Sequence, residues 1–97
     1  MPTYVTLINW TDQGIKNIKD TMKRAKGAEE AMGKLGVRFQ SILWTVGPYD
    51  LVAVVEADDD ESATAALLAL GAQGNVRTTT MRAYNAEEIG RIVDKLG

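Results

Sequence analysis

Apolar positions change their period along the chain, and each change marks an element. Residues 3–9, TYVTLIN, are β-branched and aromatic with neither Gly nor Pro among them, which predicts a strand. In the WTDQG segment that follows, Thr11 or Asp12 can cap a short helical turn. From near Asp20 the period lengthens: Met22, Ala25, Ala28, Met32 and Leu35 recur at three and four, one stripe of a helix that Gly36 stops. Residues 37–46, VRFQSILWTV, and 51–57, LVAVVEA, predict two strands joined by the GPYD turn as a hairpin. Asp58 to Asp60 open a helix that buries Ala63, Ala66, Leu67 and Leu70 and ends at Gly71 and Gly74. NVRTTTMRAY is a fourth strand. Asn85 and Glu88 then make a capping-box start to a last helix striped by Ile89, Ile92, Val93 and Leu96.

The order β-α-β-β-α-β plus a C-terminal helix is an α+β, ferredoxin-like pattern with a four-stranded antiparallel sheet. Right-handed crossovers place both main helices on one face of that sheet. The strands, however, are apolar on both faces. Leu51, Ala53 and Val55 alternate with Val52 and Val54; Phe39 and Leu43 alternate with Ile42, Trp44 and Val46; Tyr4, Thr6, Ile8 and Trp10 alternate with Val5 and Leu7. Helices cover one face only, and soluble monomers rarely expose such a patch. The expectation is a second copy, sheet against sheet, in a homodimer or a multiple of one. The last helix is expected to cover part of that face or to brace the partner.

Composition narrows the chemistry. The 97 residues suit one domain, 1–97, and 45% are apolar. No cysteine or histidine is present, which removes disulfides, thiol chemistry, the usual zinc, copper and haem ligands and the commonest general base. No cofactor and no metal are expected. No apolar run approaches the length of a membrane span and MPTYVTLINW lacks a basic n-region, so the expected location is the cytoplasm, with no membrane partner. Net charge is −2; the lysines of residues 16–38 read as a solvated helix face and not as a nucleic-acid site, since no aromatic- or Arg-rich groove accompanies them.

Six residues are candidates for a ligand site: Asn9, Trp10, Trp44, Tyr49, Asp50 and Arg77. Tyr49 and Asp50 fit a turn in which Gly47 tolerates positive φ, Pro48 fixes φ and Asp50 bonds the turn backbone. They also fit a phenol and a carboxylate at the mouth of a cavity between sheets, lined by Tyr4, Ile8, Trp10 and Trp44. Arg77, sharing a strand face with Thr79 and Met81, either anchors a carboxylate or phosphate or pairs with the acidic 58–61 stretch. The helix entry after WTDQG could take a small anion or merely cap itself. GAQGN lacks the Lys-Ser/Thr of a phosphate loop, and no nucleophile–base pair is visible.

G-P-Y-D ahead of an apolar strand resembles the motif that names the GYD family of small bacterial and archaeal proteins. YVTLINWTDQGIKNIKD, the DDDE helix entry and LGAQGNVRTTTMRAY are similar to that family's other stretches, so the likeness spans residues 3–93. One departure is Thr21-Met22, where members often carry Ser-Pro before the helix; it bears on where that helix starts. The resemblance implies a dimeric α+β barrel and leaves activity open. Within that superfamily some members are cofactor-free monooxygenases or haem degraders and others sense ligands, and fold analogy alone assigns none of these. The leading expectation is a homo-oligomeric small-molecule-binding or regulatory module. The alternatives are a cofactor-independent monooxygenase-like enzyme using Asn9, Trp44, Tyr49 and Asp50, and a structural assembly subunit.

Overall fold

A computed structural model describes all residues, Met1–Gly97. The elements are β1 (Thr3–Trp10), α1 (Asp12–Lys16), α2 (Thr21–Lys34), β2 (Val37–Trp44), β3 (Leu51–Ala57), α3 (Asp60–Ala72), β4 (Val76–Ala83) and α4 (Ala86–Asp94), with a single 3₁₀ turn at Ile18–Asp20. The strands form one sheet in the order β2-β3-β1-β4, every neighbour antiparallel. This is the ferredoxin-like α+β arrangement that the pattern predicts.

Local chemistry sets the boundaries. Thr11 caps α1 by accepting the Gly14 N–H, Asp59 caps α3 by accepting the Ser62 N–H, and Asn85 and Glu88 form a reciprocal capping box on α4. The Ser62 hydrogen bonds hold the Asp59 carboxyl below its usual range. Gly36, at φ 84°, ends α2 in the left-handed region.

One face of the sheet carries the core. Tyr4, Thr6 and Ile8 of β1 and Leu51, Ala53, Val55 and Ala57 of β3 are buried there against Met32 of α2 and Ala63 and Ala66 of α3. The hydroxyl of buried Thr6 is satisfied by a hydrogen bond shared with Thr80. Met22 is not in the stripe: it is 74% exposed. At 100° per residue it falls well off the Ala25–Ala28–Met32 face. Thr21 takes the inward position instead and accepts the Trp44 indole N–H at 3.0 Å.

A β-bulge changes the reading of β2. Phe39 pairs with Val55 and Ser41 pairs with Val54, which leaves Gln40 as the extra residue. Strict alternation puts Phe39 and Leu43 on one face. The bulge shifts the parity, so Phe39, Ile42 and Trp44 face the helices and Ser41 and Leu43 face away.

The opposite face has no cover. Register aligns it in cross-strand rows, of which two are mostly apolar: Ser41, Val54, Val5, Met81, and then Leu43, Val52, Leu7, Thr79. Polar rows bound them, Arg38, Glu56 and Thr3 at one end and Asn9 and Arg77 at the other. Leu43 is 62% exposed and Met81 47%. The molecule is 18 Å across its thin dimension, the thickness of one sheet and one helix layer. The last helix does not cover this face. It stands off the other elements with Ile89, Ile92, Val93 and Leu96 all exposed.

Candidate functional site

The GPYD turn is tied to the end of β1. Asp50 Oδ2 accepts the Trp10 backbone N–H at 2.9 Å, and the Asp50 N–H donates to the Ile8 carbonyl at 2.8 Å. Thr45 closes the turn from the other side: its N–H donates to the Asp50 carbonyl and its hydroxyl to the Tyr49 carbonyl. Asp50 thus takes over where the β1–β3 ladder ends.

The β1–α1 connection is fastened just as closely. The Thr11 N–H donates to the Asn75 carbonyl at 3.1 Å and the Thr11 hydroxyl to the Gly74 carbonyl at 2.6 Å. Gln13 Nε2 donates to Asn75 Oδ1 at 2.8 Å. Gly14 lies so close that a Cβ there would sit 2.0 Å from the Asn75 carbonyl oxygen. Arg24 of α2 donates to the carbonyls of Gly14 and Asn17 at the C-terminal end of α1.

These ties frame a cavity on the helix side, at the end of the sheet near Trp10. Its floor is Ile8, Trp10, Phe39, Ile42, Leu51 and Val76; α2 and Leu70 form its walls, with Arg24, Gln73 and Asn75 at its rim. The volume is about 60 Å³, room for roughly two waters. Drug-sized ligands occupy several hundred Å³. A narrower extension of about 20 Å³ continues between α2 and α3.

The structure divides the six candidates. Trp10 lines the cavity, Trp44 borders it through Thr21, and Asp50 holds the Trp10 backbone. Tyr49 is half-buried, its carbonyl held by Thr45. Asn9 and Arg77 pair across strands on the uncovered face, on the other side of the sheet from Trp44. Tyr4, Ile8, Trp10 and Trp44 face the helices and not a space between sheets. The polar constellation that an oxygenase pocket needs is therefore split between two faces. Arg77 forms no ion pair; the acidic 58–61 stretch is met instead by Arg38, 3.7 Å from Asp58. Sequence reasoning overlooked Thr21, Arg24 and Asn75; the inward helical phase of Thr21 and Arg24, three apart, was the available signal.

A second polar cluster lies at the opposite end of the helix side. The Tyr4 hydroxyl donates to Asp60 in the first turn of α3, and the Arg82 guanidinium stacks over the Tyr84 ring at 4.4 Å and over Tyr4 at 5.7 Å. Burial, and then the hydrogen bond and charge of Asp60, push the Tyr4 phenol up to about 12.

The GYD domain profile matches residues 4–93. The chain belongs to the GYD family. A relative from Thermus thermophilus, named "Glutamine synthetase and cystathionine beta-lyase binding protein", is 36% identical over 90 residues, 92% of this chain and 95% of the relative. A crystal structure of a Thermus thermophilus protein superimposes with a TM-score of 0.54 at 29% identity, over 89% of this chain and 96% of that one. In this GYD domain the turn reads Gly47-Pro48-Tyr49-Asp50, and the visible work of its aspartate is to hold the hairpin to β1.

Proposed function

We propose that this GYD domain is a regulatory binding module that pairs with a second copy through its uncovered sheet face and engages an enzyme as its protein partner. The observation that carries the reading is the pair of mostly apolar rows bounded by polar ones, an apolar centre with a polar rim. The face measures roughly 20 by 25 Å from strand spacing and rise, a footprint suited to one sheet packed on another. The relative's name supports protein partners. The small volume beside Trp10 weighs against a sizeable organic ligand.

The test has two arms. Native mass spectrometry and light scattering read self-association; a dimer or its multiple is expected, and Val54→Asp should convert it to monomer. Biolayer interferometry with purified glutamine synthetase and cystathionine beta-lyase from the host organism reads the second part. Saturable binding to either supports the enzyme-binding reading. A monomeric wild type removes the first claim, and no binding to either enzyme removes the second.

A further inference from the structure

We infer that two copies of the chain also join edge to edge, β4 against β4, into one continuous sheet. β4 is an outer strand of eight residues with neither bulge nor proline. The register shows which of its backbone groups are free. The Ala57 N–H donates to the Pro2 carbonyl, so even-numbered residues of β1 bond to β3 and odd-numbered ones to β4. The Thr11 N–H, donated to the Asn75 carbonyl, keeps the same alternation. Arg77, Thr79, Met81 and Ala83 therefore bond inward to β1. Val76, Thr78, Thr80 and Arg82 turn their N–H and C=O groups outward. None of these outward groups bonds to another segment of the chain.

The strand is its own complement. Antiparallel pairing about a two-fold axis through Thr79 sets Val76 opposite Arg82 of the second copy and Thr78 opposite its Thr80. All four outward residues then exchange both of their bonds. Sliding the copies by two residues leaves Val76 or Arg82 without a strand partner. The side chains agree with this register. On the helix side threonine meets threonine and the Arg82 stem meets Val76; on the other face Thr79 meets its twin and Arg77 meets Met81. No like charges stand directly opposite.

A second surface lies above this edge. α2 packs over β2 and α3 over β4, so the flank of α3 turned away from α2 faces out above β4. Ala66, Ala69, Leu70 and Gln73 line the channel toward α2. At about 100° per residue the opposite flank, past the acidic first turn, carries Thr64, Leu67, Leu68 and Gly71. No residue between Glu61 and Arg77 is charged, and Leu68 is 69% exposed. The two-fold keeps both α3 helices on one side of the joined sheet and turns these flanks toward one another. Each ladder bond replaces a bond to water, so this contact is weaker than the sheet-face pairing and forms in concentrated solution. Dilute samples report the sheet faces alone. The contact uses the edge and not the face, and stands apart from the pairing proposed above.

The chain has no cysteine, so cross-links report single positions. A tagged chain carrying Arg77→Cys is mixed at submillimolar concentration with an untagged chain carrying Met81→Cys, and the mixture is oxidised briefly. Both chains also carry Val54→Asp, or in a second series the more exposed Leu43→Asp, to remove the sheet-face pairing. In the paired edges these two positions form a non-hydrogen-bonded pair with Cα atoms about 4.5 Å apart, within disulfide reach. Like positions stand more than about 13 Å apart, so the mixed disulfide should exceed either self-disulfide by about tenfold or more. Thr78→Pro in both chains removes an outward donor and leaves the bonds to β1, a placement that outer strands tolerate. It should reduce the mixed disulfide to background with the circular dichroism spectrum unchanged. A mixed disulfide no more abundant than the self-disulfides overturns the proposal. So does one that survives Thr78→Pro, or one that forms only when Val54 and Leu43 are both intact.

Discussion

Asp50, at the end of the β2–β3 turn, accepts the backbone N–H of Trp10 at 2.9 Å, joining a hairpin tip to a strand end forty residues earlier. This bond satisfies a half-buried donor beyond the last β1–β3 pair. Asp50→Ala should lower stability by about 1–3 kcal/mol in urea unfolding. Asp50→Asn keeps an acceptor oxygen and should cost clearly less. Equal losses would mean that the carboxylate works through its charge.

Two glycines should respond in opposite directions to alanine. At Gly14 the new Cβ meets the Asn75 carbonyl, which is backbone and cannot rotate away, so Gly14→Ala should cost about 2 kcal/mol or more. Gly27, inside α2, has nothing within 4 Å, and Gly27→Ala should add up to about 1 kcal/mol through helix propensity. Thermal unfolding of both variants gives the signs directly.

The bulge at Gln40 separates two adjacent aliphatic side chains. Ile42 packs against the core and lines the cavity, whereas Leu43 points from the open face. Ile42→Ala should destabilise the fold by about 2 kcal/mol. Leu43→Ala should leave the stability of the isolated subunit nearly unchanged and weaken self-association. Urea denaturation paired with concentration-dependent sedimentation distinguishes the two effects.

Tyr4 gives an alkaline dependence of known sign. Its folded pKa is raised from 10.0 to about 12, so folding favours the protonated phenol. The stabilisation is fully present below about pH 10 and is lost as pH rises through about 12. Tyr4→Phe should flatten that part of the stability curve, and subtracting the two curves removes the contribution of lysines. A wild-type curve parallel to that of Tyr4→Phe would discard the assignment.

Much of the fold was legible because each element carries its own punctuation. Thr11, Asp59 and Asn85 mark helix starts by side-chain chemistry that acts within three residues, and Gly36 marks a stop by backbone conformation. The alternation of β1 and β4 is regular, so their faces were readable. In β2 one unpaired residue inverts the parity beyond it, and nothing in VRFQSILW announces Gln40 as that residue. The candidate site was harder for a related reason. Trp10, Trp44 and Asp50 do meet near one sheet end, but Asn9 and Arg77 are one position out of phase and lie through the sheet from them. Thr21 and Arg24 matter through contacts outside their own helix, with Trp44 of β2 and the end of α1, which the spacing within α2 does not encode.

The bulge in β2 has one more effect. β2 is an outer strand of the sheet, and outer strands offer unpaired backbone groups on which further chains can grow. With Gln40 displaced from the ladder and its amide bonded to Glu56, the run of regular groups along that border is broken midway. Lateral accretion of strand upon strand is thereby discouraged, as in other proteins that keep fibrils at bay. Along that border recognition is left to side chains, which can discriminate between partners, and not to main chain, which is the same in every protein.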